Sequence, residues 1–150
     1  MSTIVLISGA NRGLGKGLLE RYLKLPNHTV IAANRYPEHP TSKALFDLPK
    51  AEGSRLVVVK LDANVWDDAA VAVQTLGAQG IDRLDIVVAN AGVSYAWPTV
   101  ADVKPEQLAG HFAPNVYGVV ALYQATRQLL RKSTREPVFA VMGSMAGRLK

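Results

Sequence analysis

A glycine-rich turn between an apolar run and a periodic segment constrains this 150-residue chain more than any other feature. Ile4-Val5-Leu6-Ile7 is continuous, apolar and β-branched, the pattern of a strand covered on both faces. Gly9-Ala10-Asn11-Arg12-Gly13-Leu14-Gly15 comes directly after it. Beyond the turn Leu14, Leu18, Leu19, Tyr22, Leu23 and Leu25 recur at three- and four-residue spacing until Pro26-Asn27 closes the segment. A strand, a tight turn and a helix are expected in that order. In that context the glycine spacing reads as a dinucleotide site. Glycines allow a sharp turn and a close approach of backbone to a pyrophosphate, whose charge meets the N–H groups and dipole of the helix start. Gly9, Asn11, Arg12, Gly13, Leu14 and Gly15 are therefore candidate cofactor-binding residues; without a ligand the same spacing is a glycine-rich strand-to-helix turn.

The rest of the chain continues the alternation. Short apolar runs at residues 28–33, 55–61, 84–89 and 138–142 are four further strand candidates. Residues 36–53 hold three prolines and read as a loop with one helical turn at 41–48. A helix is expected over 65–79, capped by Asn64, with Asp67 and Asp68 in its first turn where negative charge suits the dipole. The longest helical pattern, 104–132, sets Leu108, Phe112, Val116, Val119, Tyr123, Thr126 and Leu130 on one stripe. Pro114 should kink it, with Gly110 offering the least bulky neighbour to the proline ring. Strands alternating with helices call for an α/β, doubly wound parallel sheet with right-handed crossovers and helices on both faces. At 150 residues with 49% apolar side chains, one domain with a packed core is expected.

The second strand ends in Ala33-Asn34-Arg35, where an NAD site usually presents an acid to the ribose. Arg35 is placed to stack on adenine and reach a 2′-phosphate, and Arg12 approaches from the glycine loop, so NADP(H) is the cofactor these residues favour. The other reading has both arginines in solvent. Asp62 and Ala63 come after the third strand, where the carboxylate is placed to accept from an adenine amino group. Asn90-Ala91-Gly92 ends the fourth at the same edge of the sheet and is expected to tie neighbouring strands into a cleft floor.

Several function classes are disfavoured. The net charge is +5, but Arg127, Arg131, Lys132 and Arg135 lack aromatic interleaving and read as a solvated helix end, so no nucleic-acid partner is expected. Residues 107–126 carry no Asp, Glu, Lys or Arg, yet Gln107, His111, Pro114, Asn115 and Gln124 mark a buried helix and no membrane partner. No cysteine is present, which removes disulfides, thiolate metal sites and a cysteine nucleophile. His28, His39 and His111 share no ligand spacing, so no metal site is expected. With a start, Met1-Ser2-Thr3, that lacks a basic leader, these features suit a cytoplasmic location.

Taken in order, Ser8-Gly9 with Gly13 and Gly15, Asp62, Asn90-Ala91-Gly92, Asn115 and Gly143-Ser144 resemble the short-chain dehydrogenase/reductase family across the whole chain. The stretch from Gly9 to Arg35 is most similar to carbonyl reductases near the norsolorinic acid ketoreductases of fungal polyketide pathways. The resemblance implies a Rossmann-like sheet, here running to the fifth strand, and reduction of a small-molecule ketone by hydride transfer from NADPH. Ser144 would polarise the carbonyl oxygen, and Asn115 would order a water in the kinked helix. Ser8 replaces the family's usual threonine, and Ala89 stands where many members have an asparagine. The family's Tyr-x-x-x-Lys is not found: Tyr22, Tyr36, Tyr95, Tyr117 and Tyr123 are followed four residues on by Pro26, Pro40, Thr99, Ala121 and Arg127. Two other readings accordingly stay open, a non-catalytic NADP(H)-binding module and an interaction subunit. The sheet flank and long helix 104–132 are expected to be incompletely covered, the helix being the surface for a homo-oligomer or a completing partner.

Overall fold

The structure, a computed structural model, describes residues 2–144. Five strands form one parallel sheet: β1 (Thr3–Ser8), β2 (His28–Asn34), β3 (Arg55–Lys60), β4 (Ile86–Ala89) and β5 (Val138–Val141), in the spatial order β3-β2-β1-β4-β5. All six residues of β1 are buried, as its unbroken apolar run requires of a central strand. The two-residue side-chain period divides that run between two layers. Ile4 and Leu6 join a cluster with Leu76 of α3 (Asp68–Ala78) and Leu122 and Leu130 of α5 (Gly118–Arg131). Val5 and Ile7 face the other way, against Leu19 and Leu23 of α1 (Gly13–Leu23) and Leu45 after the short α2 (Pro40–Lys43). The expected doubly wound architecture is the one observed.

The long helical pattern departs most from expectation. It breaks into α4 (Pro105–Phe112), one wide turn at Ala113–Tyr117, and α5. Pro114 has no N–H to donate, and the turn closes instead with the Gly118 N–H on the Ala113 carbonyl, five residues back. The extra residue rotates α5 by about 100° relative to a straight continuation of α4. The expected stripe is only partly inside: Thr126 and Leu130 are buried, but Leu108, Phe112, Val116 and Tyr123 are exposed, α4 buries none of its residues, and the buried face of α5 is Ala121, Leu122, Thr126 and Leu130. Gly110 also makes room elsewhere, because a Cβ there would strike the Tyr95 hydroxyl. Among the described residues no helix is long and apolar enough to cross a membrane.

A second correction concerns α3. It starts at Asp68, not at 65, and Asn64 does not cap it. Asn64 is instead held by Asp62, whose Oδ1 accepts from both the Asn64 N–H and its Nδ2 at 2.9 Å. This turn occupies the residues expected to open the helix, and Asp68 Oδ2 accepts from the Asp62 N–H at 2.8 Å.

At the amino end of the sheet one buried carboxylate joins three elements. Asp85 is 1% exposed. Its Oδ2 accepts from the Ile4 N–H at 2.7 Å and from Arg83 Nη1 at 2.6 Å, and its Oδ1 accepts from the Ser133 hydroxyl at 2.6 Å. Burial pushes the carboxyl pKa up, but the Ser133, Ile4 and Arg83 donors together outweigh it and hold Asp85 below the ordinary carboxylate value. A group with a depressed folded-state pKa stabilises the fold above its unfolded pKa and loses that contribution as pH falls through the folded value. Urea unfolding should accordingly show Asp85→Ala destabilised by about 3 kcal/mol at pH 7, because its partners stay buried. The wild-type midpoint should fall on acidification below about pH 4 with a component that Asp85→Ala lacks. Equal acid sensitivity in both would contradict this assignment.

Candidate functional site

The strand order reverses between β1 and β4, and at their carboxyl ends lies a cleft of about 480 Å³. Its floor begins with the Ser8 hydroxyl, which accepts from the N–H groups of both Asn90 and Ala91 at 3.0 Å. The Asn90 amide returns the tie, its Nδ2 donating to the carbonyls of Ser8 at 3.0 Å and Gly9 at 3.1 Å. Two strand ends distant in sequence are thereby locked together, the strand-tying task expected of Asn90.

The glycine loop turns away from this seam. Gly9 at φ +65° and Gly13 at φ +56° occupy the left-handed region, which disfavours a side chain. Gly15 is needed for a different reason: a Cβ there would collide with the Gly9 carbonyl and the Asn90 amide, so α1 could not start so close to the strand ends. Arg12 occupies the position before α1 with extended backbone, and no side chain caps the helix's first N–H groups. The start of α1 thus stands beside the cleft with Arg12 and Gly13 in its lining, and the positive end of a helix dipole suits an anion. The loop is steadied by Asn34, 1% exposed, whose Oδ1 accepts from the Ala10 N–H at 2.8 Å while its Nδ2 donates to the Ser42 hydroxyl at 3.1 Å.

Ten of the twelve expected cofactor-binding residues line this cleft: Gly9, Asn11, Arg12 and Gly13 from the loop, Arg35 after β2, Asp62 and Ala63 after β3, and Asn90, Ala91 and Gly92 after β4. Leu14 and Gly15 do not; Leu14 is 71% exposed, and Gly15 is buried behind the loop. Arg12 and Arg35 are exposed at the rim, with the Arg35 guanidinium 5.0 Å above the Tyr36 ring. Tyr36, His39 and Thr41 complete that end, and sequence reasoning missed them. The proline at the first position of α2 is the signal that could have found them, since it marks a helix start next to His39, whose Nδ1 accepts from the Thr41 N–H. Asn11 Nδ2 donates to the Thr41 hydroxyl at 2.8 Å, joining loop and α2.

The two residues expected to serve catalysis, Ser144 on the substrate carbonyl and Asn115 through an ordered water, lie outside this lining. Asn115 sits in the wide turn and clamps the chain after β4: its Oδ1 accepts from the Val93 N–H and its Nδ2 donates to the Val93 carbonyl, both at 2.8 Å. Gly92 lacks a side chain where a Cβ would stand 2.9 Å from Asn115 Oδ1. Ser144 is exposed three residues beyond β5.

The fold is that of a Rossmann-like α/β domain with a cleft at its switch point. The family model described as short chain dehydrogenase matches residues 3–150, and the chain belongs to that family. It is 40% identical over 143 residues to the norsolorinic acid ketoreductase of Aspergillus parasiticus, covering 95% of this chain and 52% of that protein. It is 46% identical over 132 residues to the norsolorinic acid ketoreductase of Dothistroma septosporum, covering 87% and 49%. The crystal structure of NADPH-bound carbonyl reductase from chicken fatty liver superposes with a TM-score of 0.75 at 27% identity, covering 87% of this chain and 49% of that one. A short-chain dehydrogenase/reductase from Mycobacterium marinum shares the fold, with a TM-score of 0.82 at 24% identity over 97% and 57% of the two chains. The chain thus spans about half the length of these relatives.

Two substitutions in one helix separate these glycine roles. Gly17, with open space around it, should gain about 0.5–1 kcal/mol on replacement by Ala through helix propensity. Gly15→Ala should lose about 2 kcal/mol, because backbone must move to admit the methyl group. Chemical denaturation of both variants checks this, and equal effects would contradict the close-approach argument.

Proposed function

We propose that residues 1–150 form the NADP(H)-binding domain of a ketone reductase that transfers hydride from NADPH to a small-molecule carbonyl compound. The observation that carries the cofactor choice is the pair Arg12 and Arg35 at one end of the cleft, where the end of β2 supplies no acid. Guanidinium groups there suit a 2′-phosphate, whereas an NAD site favours a carboxylate for the ribose hydroxyl. The uncapped start of α1 and the left-handed glycines beside it suit a pyrophosphate, and Asp62, which also lines the cleft, would accept from an adenine amino group. When bound, the nicotinamide supplies the hydride. This chain's residues bind and orient it: Gly9 and Gly13 let backbone approach the phosphates, the Ser8–Asn90 seam and Asn90-Ala91-Gly92 form the floor, and the Asn115 clamp holds Val93 at the edge. Ser144 would polarise the substrate carbonyl. The ketoreductase names of relatives and the NADPH-bound state of the carbonyl reductase support the same reading. Self-association is proposed through the α4–α5 face, where Phe112, Val116, Val120 and Tyr123 are exposed.

Titration with NADPH and NADH, monitored by nucleotide fluorescence, tests the cofactor assignment. NADPH should bind more tightly, and Arg35→Asp should weaken NADPH binding by about 1–3 kcal/mol while leaving NADH nearly unchanged, since a charge-assisted phosphate contact becomes repulsive. Equal affinities, or no effect of Arg35→Asp, would overturn it. Ketone-dependent NADPH oxidation tests the reaction.

A further inference from the structure

Between the cleft and α4 the chain runs through an irregular segment that has no strand or helix to hold it, yet side chains fasten it at two points. One is the Asn115 clamp on Val93. The other is built on His111, in the last turn of α4. The Tyr95 N–H lies 3.3 Å from His111 Nε2, and His111 Nδ1 lies 2.7 Å from the Gln107 carbonyl. An amide N–H can only donate and a carbonyl can only accept, so both contacts are satisfied by one protonation state, the neutral ring with its hydrogen on Nδ1. The His111 and Tyr95 rings stack, centroids 4.3 Å apart and 12° from parallel. Gly110 leaves the space that the Tyr95 hydroxyl fills.

We propose that His111 is a positioning residue, whose neutral ring latches residues 93–99 onto α4 and whose protonation releases them. A proton on Nε2 would set donor against donor at the Tyr95 N–H and leave that amide without its acceptor. The segment walls two spaces at once: Gly92 and Val93 border the cleft, while Ser94 and Trp97 border a second hollow of about 440 Å³ that His111 also lines. Release would therefore change the wall between them. No Asp, Glu, Lys or Arg lines that hollow among the described residues. Tyr95 is the titratable group in contact with the ring; the charged groups on the flanking elements are Asp102, which accepts from the Thr99 hydroxyl, and Lys104 and Glu106 at the start of α4. The latch does not depend on the cofactor assignment.

The chain has two tryptophans, so Trp66→Phe leaves Trp97 as the sole reporter of this segment. In that background Trp97 anisotropy should fall in one transition on acidification from mildly alkaline pH, and the Tyr95 amide proton should move upfield with the same midpoint. His111→Phe keeps a ring for stacking but should abolish the transition. Tyr95→Phe should retain it, because the latch uses the backbone N–H. Gly110→Ala should give low anisotropy already at the alkaline end by expelling the Tyr95 ring. A flat profile in the parent background, or an unchanged transition in His111→Phe, would overturn the proposal.

Discussion

The Ser8 hydroxyl holds the site together. It accepts two N–H groups from the chain leaving β4, and the Asn90 side chain reaches back to the carbonyls of Ser8 and Gly9. Each such bond contributes only about 1 kcal/mol net, but an unsatisfied buried partner costs about 1–3 kcal/mol, so the seam specifies geometry more than it adds stability. The glycine loop, the start of α1 and the cleft floor all take their positions from it. Gly15 then lets α1 come down onto that seam, and Asn34 fastens the loop from the β2 side.

Polar groups obey the same logic throughout. Asn34, Ser42, Asp85 and Thr126 are buried, and among the described residues no buried side-chain nitrogen or oxygen lacks a partner. Two polar knots lie at opposite ends of the sheet. Asp85 binds β1, β4 and the segment after α5 at the amino end, while the Ser8–Asn90 seam works at the carboxyl end where the cleft opens. A scaffold anchored at one end and a site assembled at the other let loops around the cleft vary with little effect on the core.

Much of this is legible in the sequence because the signals are local or repetitive. Unbroken apolar runs mark β1 and β2 as central strands, and the glycine loop between strand and helix places the cleft. Features that stay hidden depend on contacts between distant residues. Nothing near Asn34 announces that its amide will hold Ala10, and the pairing of Asn115 with Val93 spans 22 residues. The stripe on the long helix fails as a single face: the wide turn at Pro114 separates α4, none of whose residues is buried, from α5, whose buried face keeps Thr126 and Leu130 but not Tyr123. Asn64 misleads because a residue fit to cap a helix is already engaged by Asp62.

The sheet order also shapes how this chain is made. β1 is central, but one of its two neighbours, β4, begins at Ile86. During synthesis at roughly 5–20 residues per second, the edge of β1 that will meet β4 waits several seconds without its partner. Its apolar-rich residues are then an open template on a nascent chain, already paired with β2 on one side and receptive on the other. The arrangement that gives the finished protein its cleft thus makes the central strand wait for one of its two neighbours.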